Sequence, residues 1–466
     1  MNKYKELVSN TIIFAIGNFM SKFLMFVLMP LYTSVLTTEQ YSVAEMLNTA
    51  IELIIPIFTL CIVDGVFRFC IDEDSDIKQI LNNGIAVISI GFCILLLFVP
   101  ILYKFISREY ILSFILLYLT TAYKNVFLQF ARGINKVKEF AIAGIISSII
   151  MIIANIVLLK FINMGVVGYL LSITISNVVT IIYIFIKLDI VKKLSMKYID
   201  NFLLKKMIIY SVYLVPNSIS WWITNIANRY IVIIFCGANV GGLFLAASKI
   251  PSLINIISTI FQQAWQFSSS KEYKSDSKEI FYSTTLKYYS MMILIGGSFI
   301  ILITPYISKF ILSGDFYSGW IYAPLLIVSA IIGCYSYYFG TIYIVVKNNR
   351  MNMISTIIGA IASLISSIIL VPTMGVIGAT ISMIISYSII TIIRIIDTNK
   401  YIKLTVNYKK IILSVVLLIV QSIILISKLH NKIILSIIIF LIILLIHTKD
   451  AFKLYNNIYN EFINNK

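Results

Sequence analysis

The residues from Ile411 to Ile426 contain no charged side chain, and runs of this kind recur along the whole chain. Backbone amides in hydrocarbon must find their partners within the chain, so such runs span a bilayer either as helices or as a closed barrel. Barrel strands alternate between apolar and polar residues, and these runs do not. A hydrocarbon core about 30 Å thick calls for roughly 20 apolar residues per helix. Suitable runs lie near 10–36, 41–69, 79–103, 109–131, 138–160, 164–187, 206–235, 239–266, 280–308, 318–346, 351–371, 375–396, 411–427 and 431–448. The fold class expected is therefore an all-α integral membrane protein of about fourteen transmembrane helices. Composition closes off the alternatives. Of 466 residues, 60% are hydrophobic and only 12% charged, against roughly 25% charged in a soluble domain. Soluble enzymes, nucleic-acid-binding domains and disordered chains are excluded by that ratio.

An even number of spans puts both termini on one face of the membrane. With a cytoplasmic amino terminus, 28 of the 37 Lys and Arg residues fall on inner segments and six on outer ones. That is the positive-inside bias, sustained along the whole chain. The net charge of +17 is accordingly read as topology and contact with anionic membrane lipids, with no nucleic acid as partner. The first apolar run is too long for a cleavable signal and lacks a small-residue cleavage site, so it is expected to insert uncleaved. Cys61, Cys70, Cys93, Cys236 and Cys334 lie in or beside apolar runs without metal-like spacing. They are read as small buried hydrophobes, and neither disulfide nor metal site is expected.

What is missing narrows the chemistry. The longest polar stretches, 189–205 and 268–279, are too short to form a domain. There is no phosphate-binding glycine loop, nucleophile elbow or carboxylate pair with an adjacent base, and His430 and His447 sit in the final helix pair without a Cys/His cluster. No enzyme activity, cofactor or ATP-driven pumping is expected, and a secondary transporter remains. An internal repeat points the same way. Met164-Gly165-Val166-Val167-Gly168 recurs as Met374-Gly375-Val376-Ile377-Gly378, and Ser172, Ile175, Ser176 and Ile182 match Ser382, Ile385, Ser386 and Ile392. A six-helix repeat gives two lobes of the same orientation, related by a pseudo-two-fold axis along the membrane normal. The expected organisation is an N-terminal lobe at 1–200, a C-terminal lobe at 201–400, and two further helices with a cytoplasmic tail at 401–466.

Charged residues inside a span each need a reason, since insertion costs about 2.5–3.5 kcal/mol at mid-helix. Lys22 lies about eleven residues into the first span, or ~16 Å at a rise of 1.5 Å per residue, farther than a lysine stem snorkels. Arg229 and Lys249 lie nearer the ends of the seventh and eighth spans. Asn217, Trp221, Asn225 and Arg229 repeat every four residues along one helical face. Ser248, Ser252, Asn255, Thr259, Gln262 and Gln266 form a second stripe. Stripes of this length suit a water-filled cavity, although short polar side chains also bridge packed helices. On the second span, Glu45 and Glu52 share a face, and Asp64 stands four residues before Arg68 in ion-pair spacing. Buried carboxylates exchange protons near neutral pH, which makes Glu45, Glu52 and Asp64 the ion-coupling candidates.

The segment from Ser9 to Phe19 (SNTIIFAIGNF), then Lys22, then Met29-Pro30-Leu31-Tyr32-Thr33, resembles the first helix of bacterial repeat-unit flippases. Leu36-Thr37-Thr38-Glu39-Gln40-Tyr41, Val66-Phe67-Arg68-Phe69 and Ala131-Arg132-Gly133 through Lys138 extend the resemblance. These flippases form the polysaccharide-transporter branch of the superfamily that also holds multidrug extruders and lipid II flippases. One departure is Ser42, where many relatives carry glycine; it bears on the turn.

The resemblance implies two six-helix lobes that carry undecaprenyl-pyrophosphate-linked oligosaccharides, of O-antigen or capsular type, across the bacterial inner membrane by alternating access. It further implies an H+ or Na+ gradient as driving force. Lys22, Arg229 and Lys249 would meet the pyrophosphate. Asn217, Trp221, Asn225, Asn255, Gln262, Gln266 and one of Tyr335, Tyr337 or Tyr338 would meet the sugars. The alternative within the superfamily is a multidrug and toxin extruder, which would want acidic groups where this chain has Arg229 and Lys249. A polymerase or ligase would need a long outer loop with catalytic residues, and none is present.

Overall fold

The computed structural model describes residues 27–71, 76–273, 275–346 and 349–464, and those residues contain no β-strand. Among the described residues, twelve helices are long and apolar enough to cross a membrane, or thirteen if the bent pair Ala238–Ala247 and Ser252–Thr259 is one span. The first expected span, 10–36, lies outside the described residues as far as residue 26, and Lys22 lies there too.

The chain divides into two compact units, Met1–Trp222 and Ile223–Lys466. In the first, the described helices are α1 (Met29–Val35), α2 (Thr38–Thr59), α3 (Ile62–Cys70), α4 (Ile77–Leu97), the single turn α5 (Val99–Leu102), α6 (Arg108–Gly133), α7 (Val137–Asn155), α8 (Gly165–Lys187), α9 (Asn201–Val212) and α10 (Val215–Trp222). A capping box starts α2: Gln40 N–H donates to Thr37 Oγ1 and Thr37 N–H to Gln40 Oε1, each at 3.1 Å. The span expected at 41–69 is interrupted. Leu60 and Cys61 stand at φ 53° and 55°, in the left-handed region that side chains avoid, and the helix restarts as α3. Ile62, Val66, Ile80, Val126, Phe130 and Met207 form a core between α3, α4, α6 and α9, while α6 and α7 both pack along α8.

The second unit holds α11 (Asn228–Cys236), α12 (Ala238–Ala247), α13 (Ser252–Glu272), α14 (Lys278–Ile311), α15 (Ala323–Val345), α16 (Asn349–Met374), α17 (Val376–Thr398), α18 (Tyr408–Ile426) and α19 (Lys432–Asn464). The span containing α15, Gly314–Val345, is its interior element and is almost wholly buried, whereas α18 and the Lys432–Phe452 span of α19 lie mostly at the protein surface. Beside it, Trp265 stacks on Tyr338 at 4.7 Å and Phe261 on Tyr289 at 4.1 Å. Arg394 is buried on α17 and donates to Ser336 O at 2.6 Å, Ser355 Oγ at 3.0 Å and Thr356 Oγ1 at 3.0 Å. It thus ties α15 and α16 to α17.

Two polar layers fasten α18 and α19 to α14. Mid-span, Ser298 Oγ donates to Gln421 Oε1 at 2.7 Å, and Gln421 Nε2 donates to Ser298 O and to Ser436 Oγ, both at 3.1 Å. Toward the helix ends, Asp450 accepts from Lys287 at 2.7 Å and also pairs with Lys410.

The repeat is a repeat of local geometry. Gly165 and Gly375 have φ of +55° and +59°, the left-handed turn that glycine enters freely, and each precedes or opens a helix, α8 and α17. The matched serines then bridge backward. Ser176 Oγ donates to Ser147 O on α7 at 2.6 Å, and Ser386 Oγ to Gly359 O on α16 at 2.7 Å.

Of the seventh and eighth expected spans, the seventh stays one long element, Asn201–Cys236, while the eighth is broken. The seventh runs through α9, α10, a π-turn at Ile223–Ala227 and α11. The eighth bends by 41° between α12 and α13, where Pro251 lacks the amide hydrogen a straight helix needs.

Candidate functional site

Glu45 is buried at 3% exposure, one turn after Tyr41 on α2. Its Oε1 accepts the hydroxyl of Tyr41 at 3.2 Å and that of Tyr169, on α8, at 3.0 Å. The ring of Tyr32 closes the cage, with its centroid 5.1 Å from Tyr169 and 6.1 Å from Tyr41. A carboxylate held by two phenol donors keeps its hydrogen bonds as an anion in a buried setting. Tyr41 stands at helical spacing from Glu45 and was readable from sequence. Tyr169, 124 residues away, carried no such signal. Glu52 lies on an exposed part of α2.

A second cluster forms where α2 breaks. A cavity of about 390 Å³ is lined by Pro56, Thr59, Cys61, Asp64, Asn125, Gln129, Phe140 and Ser218, among others. Cys61 Sγ and Ser218 Oγ are 3.6 Å apart. The charge of Arg132, on α6, acts on Asp64, and Arg132 also stands 4.4 Å over the Phe67 ring. Asn125, Gln129 and Arg132 share one face of α6 at i, i+4 and i+7 spacing; the sequence reading did not pick out that stripe, and Arg132 entered it only within the family-like segment from Ala131 to Lys138.

The expected stripe of Asn217, Trp221, Asn225 and Arg229 is divided by the π-turn. Asn217 and Trp221 are exposed on α10, and Trp222 Nε1 donates to Thr49 O at 2.9 Å. Asn225 and Arg229 belong to the second unit. A π-turn closes its hydrogen bonds over five residues, which shifts the stripe's register by one. Tyr387 of α17 donates to Asn225 Oδ1, and the charge of half-buried Arg229 acts on the same tyrosine. One turn away, Asn228 Oδ1 accepts from Ser363 at 3.4 Å and from Ser367. Asn228, Ser363, Ser367 and Tyr387 are therefore additions to the expected set.

Lys249 is half-buried in the bend between α12 and α13 rather than within a helix, and Ser252 Oγ donates to its carbonyl. On α13, Asn255 is exposed and its carbonyl accepts from Thr259 at 2.7 Å. Gln262 donates to Ser258 at 2.9 Å, and Ser258 is 2.7 Å from the Tyr289 hydroxyl. Gln262 is thereby joined to the aromatic core. No group of three or more His, Cys, Asp or Glu residues that could hold a metal occurs among the described residues.

Comparison with solved structures gives the same fold repeatedly. An inward-facing multidrug resistance MATE transporter of the MOP superfamily superposes with a TM-score of 0.70 at 15% identity, over 82% of this chain and 93% of that one. The lipid II flippase MurJ in an inward closed conformation gives 0.65 at 17% identity, over 96% and 100%. A MOP superfamily transporter from Pyrococcus furiosus, described as having a binding pocket of reverse polarity, gives 0.62 at 15% identity, over 84% and 96%. These identities establish likeness of fold alone. Among curated proteins no sequence match is found. The sequence model for "Polysaccharide biosynthesis protein" matches residues 7–267. That is more than half of the chain, which therefore belongs to the polysaccharide biosynthesis protein family.

Proposed function

We propose that the protein is a flippase that moves polyprenyl-pyrophosphate-linked oligosaccharide repeat units across the bacterial cytoplasmic membrane by alternating access. The observation that carries this reading is family membership over residues 7–267. A fold shared with a lipid II flippase supports it, because that protein's cargo is also lipid-linked. In this reading both termini are cytoplasmic. Lys22, Arg229 and Lys249 meet the pyrophosphate, and Asn217, Trp221, Asn225, Asn255 and Gln262 meet sugar hydroxyls and ring faces. An inward H+ or Na+ gradient drives exchange. Of Glu45, Glu52 and Asp64, we assign the coupling role to Glu45, which is buried and accepts hydrogen bonds from the phenols of Tyr41 and Tyr169.

The second reading is a multidrug extruder, favoured by the likeness to a MATE transporter. Deleting the gene in its own host separates the two. Accumulation of complete lipid-linked repeat units with loss of surface polysaccharide is the outcome expected. Normal glycan with new sensitivity to cationic drugs would move the protein to the extruder reading. Neutral replacement of Arg229 and Lys249 should impair a pyrophosphate carrier and spare a cation exporter.

A further inference from the structure

We propose that the cavity at the break between α2 and α3 is a sugar subsite, which holds a pyranose ring of the lipid-linked glycan through its hydroxyl groups. The inference rests on the flippase reading and specifies part of its substrate contact.

The cavity is built by a discontinuous helix. A membrane-spanning helix that unwinds away from lipid exposes backbone groups to whatever fills the gap, and transporters place their ligands at such breaks. Here two successive left-handed residues, Leu60 and Cys61, interrupt the span without a glycine. Strain of that kind persists where the surroundings hold it and concentrates at functional positions. The volume, about 390 Å³, lies in the ~300–1,000 Å³ range of small-molecule pockets.

The lining selects the ligand class. Asp64 offers a carboxylate, Asn125 and Gln129 offer amides that both donate and accept, and Ser218 adds a hydroxyl. Gln129 Oε1 is buried without a hydrogen-bond partner among the described residues, so a ligand hydroxyl would satisfy an acceptor that folding leaves open. A cation suits the cavity poorly, since Arg132 already acts on Asp64. An anion would meet the carboxylate. A neutral ring carrying several hydroxyls matches both sets of groups, with its C–H face toward Phe140.

The test uses the full chain in lipid nanodiscs and two probes: undecaprenyl pyrophosphate, and the lipid-linked glycan extracted from a host deleted for this gene. Asn125→Ala and Gln129→Ala are expected to weaken binding of the glycan-bearing lipid about tenfold each, equivalent to about 1.4 kcal/mol, and to leave undecaprenyl pyrophosphate binding unchanged. Ser218→Leu, which fills the cavity from α10, should give the same selective loss and keeps the test independent of how α6 tolerates substitution. Equal loss for both probes, or no loss in any folded variant, overturns the sugar subsite. So does a wild-type chain that binds both probes equally, an outcome that leaves the flippase reading intact. Failure of the wild-type chain to bind either probe would overturn both.

Discussion

Tyr169 donates its hydroxyl to Glu45 across 3.0 Å, joining α8 to α2 inside the first unit. Both phenol donors end on one carboxylate oxygen, so the cage and its acid are separable by mutation. Glu45→Gln keeps the shape and removes the titratable proton; it is expected to leave thermal unfolding nearly unchanged while glycan export stops responding to an imposed proton gradient. Glu45→Ala removes the shared acceptor and should cost about 2–3 kcal/mol of stability. Export in inverted vesicles with and without a gradient separates the two effects, and a gradient response retained by Glu45→Gln would remove Glu45 from the coupling role.

Gly378 lies against the backbone of the preceding helix, and a Cβ there would run into the Leu370 carbonyl. Backbone yields less than a side chain, so Gly378→Ala should destabilise the second unit by about 1–3 kcal/mol, in the manner of an overpacked core. Thermal unfolding in detergent reads this directly. Gly296→Ala, with open space around the new Cβ, is the control expected to show little change.

Arg394 spends its donors on two neighbouring helices, α15 and α16, and none of the acceptors in the bonds described is a carboxylate. Lysine keeps the charge but lacks the planar fork. Arg394→Lys should therefore destabilise by about 2–4 kcal/mol, through lost hydrogen bonds around a buried cation. A variant as stable as the native chain would show that charge alone suffices.

Asp450 stands between Lys287 and Lys410. Asp450→Asn leaves two lysines facing each other and is expected to cost about 1–3 kcal/mol. The loss should fall on the attachment of α19. Limited proteolysis near the carboxyl end, compared between Asp450→Asn and the native protein, would show earlier cleavage in the variant.

The spans were legible because burial in lipid imposes a single demand, and the Ile411–Ile426 run duly reappears within α18. The repeat was legible too, since left-handed turns at Gly165 and Gly375 require glycine. Breaks were harder to read. Pro251 could have announced the bend in the eighth span, but Leu60 and Cys61 carry no local signature of a turn, and tertiary contacts hold them there. Arg394 stands near the end of its span, a few residues before Lys400 and Lys403; only the fold shows it buried. The cage on Glu45 was half visible: Tyr41 by spacing, Tyr169 not at all. Lys22, first among the expected site residues, lies outside the described residues.

The buried amide of Gln421 has a consequence for how the protein is made. Its partner Ser298 precedes it by 123 residues, so a nascent chain inserts α14 long before the groups that complete it leave the ribosome. Until α18 and α19 arrive, Ser298 on α14 has no Gln421 to meet and can turn its hydroxyl only to its own helix. A chain truncated ahead of Tyr408 lacks these bonds and is expected to be degraded faster than the full chain, which a pulse-chase comparison would show.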